Sequence, residues 1–152
     1  MFNLFKKKKY QNPISEMLKD LSTNQKMSVI NLLYLIAICD DEEDTQEKGN
    51  EDKELQYLNT VARMLNIRAD RCMAYYESFR YERVIHDLIT LTKEQKEFLV
   101  LSAWEMINCD GSPNETEFQV TGAMFEKIGV SDEQVVATIE KSQILMKYFF
   151  GK

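Results

Sequence analysis

The chain has 152 residues, of which 44% are hydrophobic and 29% charged, a balance typical of one soluble globular domain. A formal net charge of −6 argues against nucleic acid as a partner, because phosphate binding requires a basic surface. No apolar run reaches the roughly 18 residues that a membrane-spanning helix needs.

The predicted elements are all helices. Apolar residues recur at i, i+3, i+4 and i+7 along most of the chain, and no segment alternates with period two. We therefore expect an all-α, single-domain helical bundle of about seven helices over residues 13–152. In chain order, helices are predicted from Asn12 to Leu21, from Thr23 or Asn24 to about Ala37, from Glu54 to Leu65, from Asp70 to Leu88, from Thr92 to Asp110, from Pro113 to Gly129 and from Ser131 to Phe149.

Residues 1–12 form a basic and aromatic segment before the helical domain. Met1 to Tyr10 contains three large apolar side chains and four lysines, without the apolar core of a secretory signal. One interpretation is a solvated terminus. The other is a peripheral contact with an anionic membrane, to which each lysine near the surface contributes about 1 kcal/mol.

Two helix–turn–helix units resemble each other. A shift of 70 positions places the Cys39-Asp40 end of one apolar helix on Cys109-Asp110, and a shift of 63 places Glu54 on Glu117 beyond the turn. The difference, 70 minus 63, is an insertion of seven residues in the acidic first turn. Two copies of this length indicate a pair of pseudo-symmetric helix hairpins rather than a solenoid.

Each unit ends its first helix with an aspartate and carries a glutamate at the start of its second helix. These helix ends are neighbours in an antiparallel hairpin, so both carboxylates can face one small volume. Clustered carboxylates repel one another unless they are neutralised, and their hard oxygens suit Ca²⁺, Mg²⁺ or Mn²⁺. We therefore predict a divalent-cation site with Asp110 and Glu117 as principal ligands, Asp40 and Glu54 as their repeat counterparts, and Glu115, Asp41 and Asn114 as auxiliaries.

A structural role is the alternative for these acids. Glutamates in a first helical turn complement the helix dipole and contribute about 0.3–1 kcal/mol each. Asp40 and Asp110 follow helix C-termini, where an anion is unfavourable, although Asp-Gly is also a common turn signal. An EF-hand is excluded, since Thr45 and Glu115 stand where the loop requires glycine.

The duplicated hairpin and the Asp110-Gly111-x5-Glu117 turn resemble the TerB-like, tellurite-resistance-associated family. The similar segments run roughly over residues 25–67 and 92–134. The resemblance implies an all-helical bundle with internal pseudo-symmetry and an acidic site for a divalent metal. It also implies a link to bacterial stress responses at the inner membrane surface.

Two positions depart from the family pattern. Asp40-Asp41 replaces the usual Asp-Gly in the first unit, and Pro113 stands where an apolar residue often follows the glycine. Tellurite resistance itself does not transfer with the resemblance, because one helical module can serve unrelated tasks.

An aromatic helix offers a second kind of partner surface. Tyr75, Tyr76, Phe79 and Tyr81 wrap too far around the helix at 70–89 to form one buried stripe. We expect part of this surface to contact a protein partner or a second copy of the chain. Trp104 is expected in the core.

The remaining reactive side chains do not indicate an enzyme. The three cysteines lack a CxxC pair and fit free thiols in the cytoplasm, with Cys39 and Cys109 as small buried residues at helix ends. His86, the single histidine, has no ligand partner at suitable spacing. No nucleophile elbow, zinc-ligand spacing or Gly-rich phosphate loop is present in the sequence, so we expect a non-enzymatic protein.

Overall fold

A computed structural model describes residues 18–39, 48–109 and 115–150. Every regular element in these ranges is a helix, and the helices pack as a bundle around one core, which confirms the predicted fold class. In chain order they are α1 (Thr23–Ile38), α2 (Lys48–Met64), α3 (Ala69–Ile89), α4 (Lys93–Asn108), α5 (Glu115–Lys127) and α6 (Asp132–Phe150). Of the helix predicted before Leu21, only the last turn lies within the described residues.

Most predicted helix ends agree with the observed ends to within one or two residues. The exception is α2, which begins at Lys48 and not at Glu54. The polar segment predicted as loop up to Asp52 is therefore partly helical. Lysine and glutamate are good helix formers, so a charged run before an apolar stripe can extend the helix instead of ending it.

The first helix of each unit begins with the same capping box. In α1 the Gln25 N–H donates to the Ser22 hydroxyl at 3.0 Å, and the Ser22 N–H donates to the Gln25 side chain at 2.9 Å. In α4 the corresponding distances between Thr92 and Gln95 are 3.1 and 2.9 Å. These reciprocal bonds satisfy donors at each helix start and define its first residue. The box predicted at Thr92 is confirmed.

The repeat extends through a third helix. Asn66 and Gly129, 63 positions apart, both end a helix with a left-handed backbone, at φ 56° and 88°. In each copy the following residue bonds back to the helix, from Ile67 to the Ala62 carbonyl at 3.0 Å and from Val130 to the Phe125 carbonyl at 2.8 Å. The third helices α3 and α6 then begin 63 positions apart. The chain is thus a duplicated three-helix unit, α1–α3 and α4–α6.

Helix contacts follow the same two-fold pattern. α1 packs on α3 as α4 packs on α6, α2 contacts α4 as α5 contacts α1, and α1 and α4 meet at the centre. Such reciprocal contacts are typical of two units related by a two-fold axis. α1 is buried on every side, because residues 27–33 are all buried. The sequence predicted a single buried stripe on this helix.

α3 is kinked at Arg80, whose backbone lies at φ 66° and ψ −174° inside the helix. This region is occupied almost only by glycine, and a side chain there costs about 1–3 kcal/mol. A buried polar cluster connects the two sides of the kink. Asp87 accepts hydrogen bonds from Tyr75 at 2.6 Å and from Ser28 of α1 at 2.7 Å, and pairs with Arg83 at 3.3 Å.

Candidate functional site

The predicted cation ligands fall into two groups. Asp40, Asp41, Asp110 and the auxiliary Asn114 lie outside the described residues. Glu54, Glu115 and Glu117 lie within them. Glu115 is the first residue of α5 and is exposed, as expected for an acid that complements a helix N-terminus.

Glu54 and Glu117 occupy equivalent and buried positions. Their exposed fractions are 4% and 3%, although glutamate is almost never fully buried unless it is paired. Glu117 lies in the first turn of α5, where the helix dipole favours an anion. Glu54 is the seventh residue of α2, beyond the first turn in which that effect acts. Helix capping therefore does not account for the burial of Glu54.

A contact between the repeats lies close to Glu54. Tyr57, one helical turn further along α2, donates a hydrogen bond to Glu105 of α4 at 2.7 Å. A hydrogen bond with Ser102 of α4 and the charge of Cys109, the residue after α4, also affect the pKa of this hydroxyl. Burial, followed by the adjacent Glu105 carboxylate, raises the pKa of Tyr57 above its usual value. The Glu54 side of α2 thus packs along the C-terminal half of α4, which leads directly to Asp110.

The described residues alone do not complete a metal centre. Within residues 18–39, 48–109 and 115–150, no group of three histidine, cysteine, aspartate or glutamate side chains is arranged to hold an ion. A site with the predicted composition would combine the buried glutamates with the turn aspartates. Chemically, two or more carboxylates there provide oxygen ligands for a hard divalent cation.

An apolar groove is one feature that was not predicted from the sequence. It lies between α4, α5 and α6, has a volume of about 260 Å³, and includes Trp104 and Phe118, whose ring centroids are 5.8 Å apart. Trp104 is half-buried at this groove and not enclosed in the core as expected. Val136 on α6 is 53% exposed beside it. An apolar residue on the outer face of a helix is a weak sequence signal, because single exposed apolar residues are common.

A second groove lies on the other side of α6. It measures about 540 Å³ and is lined by Lys93, Lys96 and Lys141 around Thr138. Lys141 lies 3.8 Å from Glu97, so part of this positive charge is already paired. Together the two grooves leave space along both sides of α6, whereas α3 is in extensive contact with α1 in the first repeat.

The aromatic helix contributes mainly to the core. Tyr75 is buried, Tyr76 packs against the core, and Tyr81 lies half-buried with the Lys127 ammonium 5.2 Å from its ring centre. The side chain of Phe79 lies outside the described residues. A partner interface on this helix remains a prediction.

The other reactive side chains have distinct environments. His86 is exposed. The expectation that the helix-end cysteines are buried is wrong for Cys109, which is exposed, while Cys39 is half-buried. Cys72 is buried, and its burial, with the nearby Asp70 charge, raises its pKa to about 11. A thiol with such a pKa is protonated at neutral pH and is a poor nucleophile.

No helix among the described residues has both the length and the apolar character needed to cross a membrane. Comparisons of the chain with protein-family models, with curated proteins and with solved structures found no match. Any function assigned to this chain therefore depends on its own sequence and structure.

Proposed function

We propose that this protein is a non-enzymatic, TerB-like helical module that binds a divalent cation, Ca²⁺, Mg²⁺ or Mn²⁺, through its turn carboxylates. The ligands would be Asp110 and Glu117, with Asp40 and Glu54 as repeat counterparts and Glu115 and Asp41 as auxiliaries. The proposed setting is cytoplasmic, at or near the inner membrane surface, in a bacterial stress response.

The burial of Glu54 and Glu117 is the observation that carries the proposal. Both residues are at least 96% buried, and they occupy equivalent positions in the second helix of each repeat. Moving a carboxylate out of water costs several kcal/mol unless opposite charge and hydrogen bonds compensate it. A divalent cation bound between these acids would supply such charge and would explain why both repeats keep a buried acid.

The contact between repeats supports a joint site. The Tyr57–Glu105 hydrogen bond holds α2 against the C-terminal half of α4, the helix that Asp110 follows in the sequence. In the proposed site, Glu54 of the first unit and Glu117 of the second would share one cation with Asp110. A bound cation would connect the repeats and would raise the free energy of unfolding, by about 2.7 kcal/mol at a concentration one hundred times Kd.

Calorimetric titration of chelator-treated protein with each cation tests the proposal. We expect saturable binding and a cation-dependent rise in Tm, both lost in Asp110→Asn/Glu117→Gln and weakened in Glu54→Gln. Glu126→Gln, which changes an exposed acid of α5, is the matched control and should bind normally. The absence of both binding heat and thermal shift for all three cations would contradict the proposal and assign the buried acids a structural role.

A metal-free interaction module is the second candidate function. The specific observation in its favour is the apolar groove at Trp104 and Phe118, since well-formed apolar concavities are typical binding surfaces. Under this hypothesis, Asp110→Asn/Glu117→Gln leaves stability unchanged or slightly higher, and a protein partner or membrane contact carries the function.

A further inference from the structure

Residues that line the apolar groove have counterparts in the first repeat. The shifts of 70 and 63 that relate the repeats place Trp104 on Tyr34 and Thr121 on Leu58. In the first repeat Leu58 is buried and α3 is in extensive contact with α1. In the second repeat the smaller Thr121 lines an open groove beneath α6.

The groove is apolar inside and acidic around its edge. Asp132 is the one charged residue among the described lining residues. Glu133 and Glu140, three residues before and four residues after Val136, are exposed on the same side of α6. Glu115 is exposed one turn before Phe118 on α5. A complementary ligand would present apolar side chains next to several positive charges.

The N-terminal segment of the chain has this composition. Phe2, Leu4 and Phe5 precede four consecutive lysines, Lys6 to Lys9. We propose that the groove between α4, α5 and α6 binds residues 2–9 of the same chain, with the phenylalanine and leucine side chains against Trp104 and the lysines facing the acidic edge.

The length of chain between this segment and the bundle limits which surfaces the segment can contact. Nine residue steps separate Lys9 from Leu18, the first described residue, and span at most about 30 Å when extended. If residues 13–18 are helical, as the sequence predicts, the reach is still about 20 Å. The segment can therefore contact only those parts of the bundle surface that lie within about 20–30 Å of Leu18.

Because the segment belongs to the same chain, even a weak interaction would keep the groove occupied. A short linker gives an effective concentration in the millimolar range, so a Kd of about 0.1 mM for the free segment would leave the groove about nine-tenths filled. The contact would then be saturated in the full chain while remaining open to competition.

Trp104 provides a direct readout, because it is the single tryptophan of the chain and lines the groove. The experiment compares the emission maximum and acrylamide quenching of the full-length protein with those of Phe2→Ser/Leu4→Ser/Phe5→Ser. We expect a red shift and stronger quenching in the variant, with unchanged far-UV circular dichroism. A synthetic peptide of residues 1–10 should reverse the change saturably, and more weakly at 0.5 M salt, where screening is nearly complete.

A groove variant makes the test specific. Val136→Lys places a positive charge at the groove and should weaken binding of the peptide to the N-terminal variant by about tenfold or more, equivalent to roughly 1.4 kcal/mol. Ile89→Lys is the matched control, because Ile89 is 50% exposed at the end of α3, against 53% for Val136. This control should bind the peptide normally.

Three results would overturn the proposal. Identical Trp104 emission and quenching in the wild type and the N-terminal variant would show that the segment does not occupy the groove. A spectral difference that depends on protein concentration would identify a second copy as the occupant. Loss of binding to anionic phospholipid vesicles in the N-terminal variant, without any change at Trp104, would assign the segment to a membrane surface instead.

Discussion

Replacement of Asp87 by alanine tests the polar cluster that holds the kinked α3 against α1. Asp87 is buried and accepts hydrogen bonds from Ser28 and Tyr75, at 2.7 and 2.6 Å. Each buried hydroxyl that loses its acceptor costs about 1–3 kcal/mol. The pair with Arg83 adds little, because the Arg83 side chain is largely exposed to solvent. We expect Asp87→Ala to lower the free energy of unfolding by about 2–6 kcal/mol.

Urea denaturation followed by far-UV circular dichroism measures this loss. Tyr75→Phe removes one of the two donors and should cost about 1.5–3 kcal/mol, the range for a hydrogen bond to a charged group. Because both substitutions break the same bond, the double variant should be more stable than the sum predicts, by at least about 0.5 kcal/mol.

The control is Glu82→Ala, which removes an exposed acid from the same helix and should change stability by no more than about 0.5 kcal/mol. A loss for Asp87→Ala as small as that of the control would refute the reasoning. Strict additivity of Asp87→Ala and Tyr75→Phe would also refute it, because the two side chains would then contribute independently.

Three further predictions concern backbone strain and protonation. Arg80→Gly should raise the free energy of unfolding by about 1 kcal/mol, because glycine tolerates φ 66° and ψ −174°. The control Glu82→Gly, in regular helix, should lower it by about 1 kcal/mol. Equal losses for the two variants in urea denaturation would argue against strain at Arg80. Gly129→Ala should lower the free energy of unfolding by about 1–2 kcal/mol, since φ is 88° there, whereas Asn66→Gly at the equivalent position should leave it unchanged or raise it. Thermal unfolding measures both variants, and a Tm that is lower for Asn66→Gly than for Gly129→Ala would contradict this prediction. The pKa of Cys72 is about 11 in the folded state and near 9 in the unfolded state, so the protonated thiol stabilises the fold fully below pH 9 and loses this effect as the pH rises toward 11. Cys72→Ala should therefore flatten the fall in the free energy of unfolding between pH 9 and 11. Identical slopes in the two proteins would contradict this assignment.

Helix type and most helix ends follow from local sequence. The Thr92 capping box and the 3.6-residue apolar period both act within a few residues, so they were predictable and are confirmed. The kink at Arg80 was not, because neither glycine nor proline marks it, and the polar contacts across it join residues up to 59 positions apart. The early start of α2 was also missed, because the polar residues before Glu54 were interpreted as a loop, although lysine and glutamate among them also favour helix.

The candidate site was predictable only in its composition. The duplicated turns identified Glu54 and Glu117 as equivalent, but their burial depends on how the two units pack on each other. The groove at Trp104 was not predictable, because it results from the spacing of α6 from α4 and not from a pattern within either helix. Sequence periodicity describes single helices, whereas a concave surface requires three of them.

The burial of residues 27–33 on every side of α1 has a consequence for how the chain folds. This helix contacts α2 and α3 of its own unit and also α4 and α5 of the other, and residues 27–33 are enclosed on every side. A fragment containing only the first unit would expose one side of its most apolar helix to water and would tend to aggregate. The duplicated units are therefore not independent folding domains: despite matching topology, they should unfold in a single cooperative transition.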